Sequence, residues 1–277
     1  MTTLTTPAPA SPRAHRSHAL ADSVTMLRRT LLHIVRYPGL SIFVIGGPVV
    51  LLLLFVFVFG GALGAGLPGT GTVGARAAYL AYVMPGILLM TIAGTAGGTA
   101  TTVSMDMTQG ITARLRTMAI SRGAVLAGHV LGNTIQAFIA VAFVLGVGVL
   151  IGFRPTAGPL QWLALAGLLA VIAFAISWLA VGMGIQSKTV ETASNLPLLL
   201  TFLPFLGSGF APTDSMPVWL QWFAQNQPFT PFIETVRGLL LGTPLGVNPV
   251  LALGWSALIA LGGAVWSVAI YERKSVR

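Results

Sequence analysis

Cysteine is absent from this chain, which excludes disulfides, thiolate metal sites and cysteine nucleophiles. Charge is scarce as well. Only 8% of the 277 residues are Asp, Glu, Lys or Arg, against ~25% in an ordinary soluble domain. A fold of this size cannot cover a water-facing surface with so few charges, so a soluble globular class is excluded. The four histidines, His15, His18, His33 and His129, lack metal-ligand spacing. Basic residues are scattered between apolar runs and form no stripe beside stacking aromatics, so nucleic acid is not an expected partner despite the net charge of +9.

What is present is apolar sequence. Hydrophobic residues make up 55% of the chain, and the mean hydropathy is +0.87. A helix needs ~20 apolar residues to cross the hydrocarbon core. Six runs qualify: about 40–61, 80–102, 124–153, 160–186, 193–211 and 250–271. The fifth holds Pro197 and Pro204, so it should be kinked or broken. Residues 1–19 are rich in Thr, Pro, Ala and Ser and read as a disordered tail ahead of a single domain over 20–277. The first long apolar run starts only near Leu40, so a cleaved signal peptide is not expected.

Six crossings place both termini on one side. If that side is cytoplasmic, the inner segments carry Arg13, Arg16, Arg28, Arg29, Arg36, Arg114, Arg116, Arg122, Lys188, Arg273, Lys274 and Arg277. The outer loops keep Arg76, Arg154 and Arg237, so 12 of the 15 basic residues lie inside. The positive-inside rule therefore predicts a multi-pass cell-membrane protein with cytoplasmic termini.

Two cytoplasmic elements are amphipathic. Between spans two and three runs MDMTQGITARLRTMAISRGAVLAGHVLGN, from Met105 to Asn133. Ile111, Leu115 and Met118 form one apolar face there, with Arg114, Arg116 and Arg122 off it. Before span one, Leu20, Val24, Leu27, Leu31 and Ile34 repeat at helical spacing and predict an interfacial helix. Each element fits either a docking surface or a plain topology signal or anchor. The outer stretch 212–249 holds Pro212, Pro217, Pro228, Pro231, Pro244 and Pro249. Trp219, Trp222 and Phe223 within it predict a helix at the lipid–water boundary, and Glu234 and Arg237 predict an i, i+3 pair on a second one. Two short helices dipping into the outer leaflet fit this stretch; a surface loop is the alternative.

Catalytic and nucleotide motifs fail on inspection. Gly182-Met-Gly-Ile-Gln-Ser-Lys188-Thr189 nearly spells a phosphate loop, but Ser187 replaces the required Gly and a membrane span precedes it. Ser208 and His129 fall near opposite membrane faces, too far apart for an intramembrane serine-protease dyad. The span centres contain no Asp, Glu, Lys or Arg, which argues against an ion-coupled carrier. Gly128-x-x-x-Gly132 and Gly148-x-x-x-Gly152 read as ordinary close packing.

Gly110-Ile-Thr-Ala-Arg114-Leu-Arg116-Thr-Met-Ala-Ile-Ser121-Arg122, followed by Val125-Leu-Ala-Gly128, resembles the cytoplasmic loop of type-2 ABC exporter permeases, in particular the daunorubicin/doxorubicin-resistance branch. Asn226-Gln-Pro228-Phe-Thr-Pro231, then Arg237 and Gly242, resembles that family's outer segment. The chain departs where the family often has an acid (Ala113), Pro (Ala119), Arg (His129) and Asp (Asn133).

The resemblance implies an all-α membrane protein of six transmembrane helices. It adds an N-terminal interfacial helix, a cytoplasmic coupling helix and re-entrant outer helices between spans five and six. It implies a permease that exports a hydrophobic or amphipathic drug, antibiotic or secondary metabolite. Two separate ATPase subunits would hold ATP and Mg, with none bound here, and the second permease would be another copy or a similar chain. The implied coupling residues are Asp106, Gly110, Arg114, Leu115, Arg116, Ser121 and Arg122, with Arg28, Arg29 and Arg36 on the docking helix. The implied path along spans one, two and five offers Phe55, Phe59, Thr91, Thr95, Asn195, Thr201, Phe202 and Phe205. A lipid or glycoconjugate exporter of the same architecture is the alternative, ahead of a secondary carrier.

Overall fold

The computed structural model describes residues 38–66, 74–108 and 122–275. Every regular element in them is helical. The first helix, α1 (Pro38–Leu54), passes through a π turn at Phe55–Phe59 into α2 (Gly60–Ala65). Then come α3 (Ala75–Thr108), α4 (Arg122–Leu150) and α5 (Pro159–Gln186). The short α6 (Val190–Asn195) and α7 (Leu198–Phe202) follow, with a 3-10 turn at Leu203–Leu206. Next, α8 (Val218–Asn226) and α9 (Phe229–Leu241) precede α10 (Asn248–Ser275).

Local chemistry explains several boundaries. Pro159 opens α5 at a position where its missing N–H costs nothing, and Gln161 Oε1 accepts a hydrogen bond from the Gly158 N–H at 2.6 Å. Thr189 caps α6 by accepting from the Thr192 N–H. Gly242 ends α9 with φ of +69°, a left-handed conformation that a side chain would resist.

Among the described residues, five helical stretches are long and apolar enough to cross a membrane. The expected sixth crossing, 193–211, is instead a broken segment whose helical part, Val190–Leu206, is shorter than a full span. Pro197 and Pro204 are the physical reason, because each removes a backbone donor that a continuous helix needs. The segment runs antiparallel to α3: Ser194 lies by Gly97, and Gly209 lies against Gly86. That covers ~17 Å of α3 at 1.5 Å per residue.

The central helix is α3, most of whose residues are buried. It packs against α1, α4, α5, α6, α7 and α9, while α5 also carries α10. Lipid supplies no hydrophobic drive between apolar helices, so close backbone approach and buried hydrogen bonds matter more. Gly182 leaves room for the Trp266 ring and Gly184 for the backbone of Ala100. Ser267 Oγ donates to the Trp178 carbonyl at 3.1 Å. Asn133 Nδ2 donates to Ser177 Oγ at 2.8 Å, joining α4 to α5. On the outside, Leu160, Leu163, Val250, Leu261 and Val265 are exposed, a surface suited to lipid.

The helices α8 and α9 are unlike. Trp219 and Trp222 of α8 are exposed, whereas α9 buries Phe229, Phe232, Ile233, Val236 and Leu240. The second helix is therefore part of the bundle, packed on α3, α5 and α10, rather than a surface loop. The expected N-terminal tail and the expected interfacial helix, with Arg28, Arg29 and Arg36, lie outside the described residues.

Candidate functional site: a cleft, an aromatic cluster and the Asp106 end

An apolar cleft of about 180 Å³ opens between three elements. Val44, Gly47, Pro48 and Leu51 of α1 form one wall, and Met90, Gly94 and Gly97 of α3 form the second. Ser194, Pro197, Leu198 and Thr201 of the broken segment close the third. None of these side chains carries a charge. Small residues make the space: a Cβ on Gly47 or Gly94 would meet nothing within 4 Å.

One helical turn beyond the cleft, toward the Tyr82 end of α3, stands an aromatic cluster. Phe205 and Phe210 stack with centroids 4.1 Å apart, and Phe55 lies 4.9 Å from Phe210. Phe59 and Phe202 extend the cluster from Phe55 and Phe205. The π turn carries Phe55 and Phe59. Such turns shift the side chains that follow relative to a regular α-helix.

Of the expected path residues, the structure brings together Phe55, Phe59, Phe202 and Phe205, and it places Thr201 in the cleft. Thr91 and Thr95 are fully buried, and their hydroxyls donate to the carbonyls of Ile87 and Ile92 in their own helix. Asn195 is exposed beside the cleft and does not line it. Phe210, at the centre of the cluster, escapes sequence reasoning because it follows the break, where helical spacing no longer predicts neighbours.

Behind the cluster lies a buried cation. Arg237 of α9 donates to the carbonyls of Ser208 at 2.8 Å and Tyr82 at 3.1 Å, and its guanidinium covers the Tyr82 ring at 4.1 Å. Glu234 completes the expected i, i+3 ion pair. Tyr79 Oη donates to the Phe210 carbonyl at 3.2 Å.

At the far end of α3, Asp106 lies 24 residues beyond Tyr82, or ~36 Å along a helix. Its carboxylate is buried and lies 3.2 Å from His129 Nε2 of α4. The pair sits beside a second apolar cluster of Val103, Leu126, Val130, Val181, Ile185 and Tyr271. Between Asp106 and His129 in sequence, α3 ends at Thr108 and α4 starts at Arg122. Gly110, Arg114, Leu115, Arg116 and Ser121 lie outside the described residues, and Arg122 is the first residue of α4.

Comparisons with known proteins agree with this architecture. The family model described as ABC-2 type transporter matches residues 23–241. A daunorubicin resistance ABC transporter permease of Streptomyces coeruleorubidus is 26% identical over 267 residues, covering 96% of this chain and 91% of that protein. A probable doxorubicin resistance ABC transporter permease of Mycobacterium tuberculosis (strain CDC 1551 / Oshkosh) is 28% identical over 167 residues, 60% of each chain. With most of its length matched and its long helices apolar, this chain belongs to the ABC-2 type transporter family, as a multi-pass permease.

Proposed function

We propose that this chain is the membrane subunit of an ATP-driven exporter that moves a hydrophobic or amphipathic molecule out of the cell, powered by two separate ATPase subunits. The observation that carries the reading is the uncharged cleft between α1, α3 and the broken segment. These elements carry the expected spans one, two and five. An apolar wall favours a cargo with substantial hydrocarbon or ring surface over an inorganic ion. The drug-resistance names of two relatives support a drug or secondary metabolite as cargo. A second permease copy or a similar chain would complete the path. Phe202 and Phe59, exposed at the edge of the aromatic cluster, are the residues that such a chain would meet.

In this reading the chain holds no nucleotide. ATP and Mg sit on the partners, and ATP shifts the complex between conformations by binding one better than the other. Residues 109–121 form the coupling element, with Arg114, Arg116 and Arg122 facing the ATPase and the segment 20–37 extending the docking surface. Asp106 acts at the base of that element, where it pairs with His129. The Asp106 end of the bundle is cytoplasmic, and α8 and α9 sit in the outer leaflet between the broken span and α10.

One double substitution tests this. An exposed ion pair is worth only ~0.2–1 kcal/mol, so loss of a single arginine weakens docking slightly. Reversal sets like charges together and costs more. Arg114→Glu with Arg116→Glu is expected to abolish co-purification of the ATPase and cargo-stimulated hydrolysis, while the permease stays monodisperse. Wild-type binding and transport in that variant would reduce the segment to a topology signal.

A further inference from the structure

We propose that Arg237 is a positioning residue that holds Phe210 across the end of the cleft, so that Phe55, Phe205 and Phe210 form its closure at the Tyr82 end. The proposal rests on the cleft being the transport path.

The register of three elements puts the aromatic cluster on the cleft's axis. Leu51 lines the cleft, and Phe55 is one turn further along the same chain stretch. Thr201 lines it, and Phe205 is one turn further. Met90 lines it, and Gly86 is one turn back toward Tyr82 on α3. All three walls thus reach the cluster together. The residue that fills the centre is Phe210, stacked on Phe205 at an interplanar angle of 9°.

Nothing helical holds Phe210 there, because residues 207–210 follow the 3-10 turn as an irregular stretch. Three other contacts do. Gly209 lies so close to Gly86 that a Cβ on Gly86 would come within 2.8 Å of the Gly209 Cα. Tyr79 donates to the Phe210 carbonyl. Arg237 donates to the Ser208 carbonyl, two residues before Phe210, and in the same fork to Tyr82 of α3. Arg237 is the only one of the three contributed by α9. It ties α9 to the closing stretch and to α3 through one side chain, while Thr230 and Ile233 of the same helix pack close to Gly207 and Gly209.

The node needs a planar fork. One guanidinium meets a carboxylate, two carbonyls and an aromatic face simultaneously, which the three rotatable donors of a lysine cannot reproduce. Arg237→Lys keeps the charge and loosens the geometry. Cargo leaving by the Tyr82 end has to displace Phe210, so movement of α9 relative to α3 would be felt at the closure through this residue.

The absence of native cysteine allows a test that needs neither ATPase nor cargo. Thr201→Cys places one thiol in the cleft, below the cluster. The full-length permease in lipid nanodiscs is treated with a charged, membrane-impermeant methanethiosulfonate, and the labelling rate is measured beside the thermal unfolding midpoint. Phe210→Ala removes the cap without touching the node, and Arg237→Lys loosens the node without touching the cap. Both are expected to raise the Thr201→Cys labelling rate several-fold. If Phe210→Ala leaves the rate unchanged, the closure is overturned. If Phe210→Ala raises it and Arg237→Lys only lowers the unfolding midpoint, Arg237 is structural and the positioning role is overturned. Should Arg237→Lys fail to fold, Tyr82→Leu replaces it. That variant keeps both carbonyls and removes the ring, and an unchanged rate there overturns the positioning role in the same way. Failure of the export reading would appear separately, as wild-type vesicles that move no cargo with intact labelling behaviour.

Discussion

At the scale of single residues, the buried Asp, His and Arg side chains among the described residues fall into two nodes at opposite ends of α3. Arg237 with Tyr82 and Ser208 marks one end, and Asp106 with His129 marks the other. A buried carboxylate keeps its charge only with compensating donors, so His129 has a structural task where the chain enters α4. His129→Leu is expected to lower stability by ~1–3 kcal/mol, the cost of removing one partner from a buried hydrogen-bonded pair. His129→Arg, which again places a nitrogen donor at this position, is expected to recover most of it. The check is the unfolding midpoint in lipid nanodiscs; equal midpoints for His129→Leu and the parent would deny the pair any weight. Part of this was legible in the sequence. The Glu234–Arg237 pair follows from helical spacing. The Tyr82 contact of the same arginine spans 155 positions, and no local pattern encodes it. Asp106 meets His129 across a segment whose path the sequence leaves open.

At the scale of elements, the long spans were legible because each is a continuous apolar run with a proline or glycine near its start or end. The broken segment was half legible. Pro197 and Pro204 announce interruption, but where α6, α7 and the 3-10 turn would settle depends on α3, which offers Gly97 and Gly86 as seats. Similarly, the stretch of α9 read as a short helix dipping into the outer leaflet, with a surface loop as the alternative, and only its packing on α3, α5 and α10 makes it part of the bundle. The glycines of α5 give this scale a two-sided prediction. A Cβ on Gly184 would lie 2.6 Å from the Ala100 carbonyl oxygen, which is backbone and cannot swing away. Gly184→Ala should force α3 and α5 apart and destabilise by ~1–3 kcal/mol. Gly167, in the same helix, has nothing within 4 Å of a built Cβ. Gly167→Ala should stabilise by ~0.5–1 kcal/mol through helix propensity. Unfolding midpoints measured side by side should move in opposite directions. A common direction would mean that the α3–α5 contact does not limit stability.

At the scale of the whole molecule, the charges sort by end. Arg76 sits near the start of α3 over the Phe57 ring, and Arg154 follows α4, its Nη1 bonded to the Val149 carbonyl at 2.9 Å. Both share the Tyr82 end with Arg237. Arg122 begins α4 at the other end, where Lys188 and Arg273 are exposed. Arg154 is also held by the carbonyls at the C-terminal end of its helix, a favourable place for a cation in either orientation, so it weighs less in the balance than its charge suggests. The remaining asymmetry predicts that the Asp106 end faces the cytosol. Single cysteines in this cysteine-free chain decide the matter, provided the probes are accessible. Ser104 is buried and would stay unlabelled on either side, so it cannot report. Ser215 and Glu191 are both exposed and lie at opposite ends. A membrane-impermeant maleimide added to intact cells is expected to label Ser215→Cys and spare Glu191→Cys, which should react once the membrane is opened. The reverse pattern would place residues 109–121 outside the cell, away from any cytosolic ATPase, and the proposed coupling role would fall with the orientation.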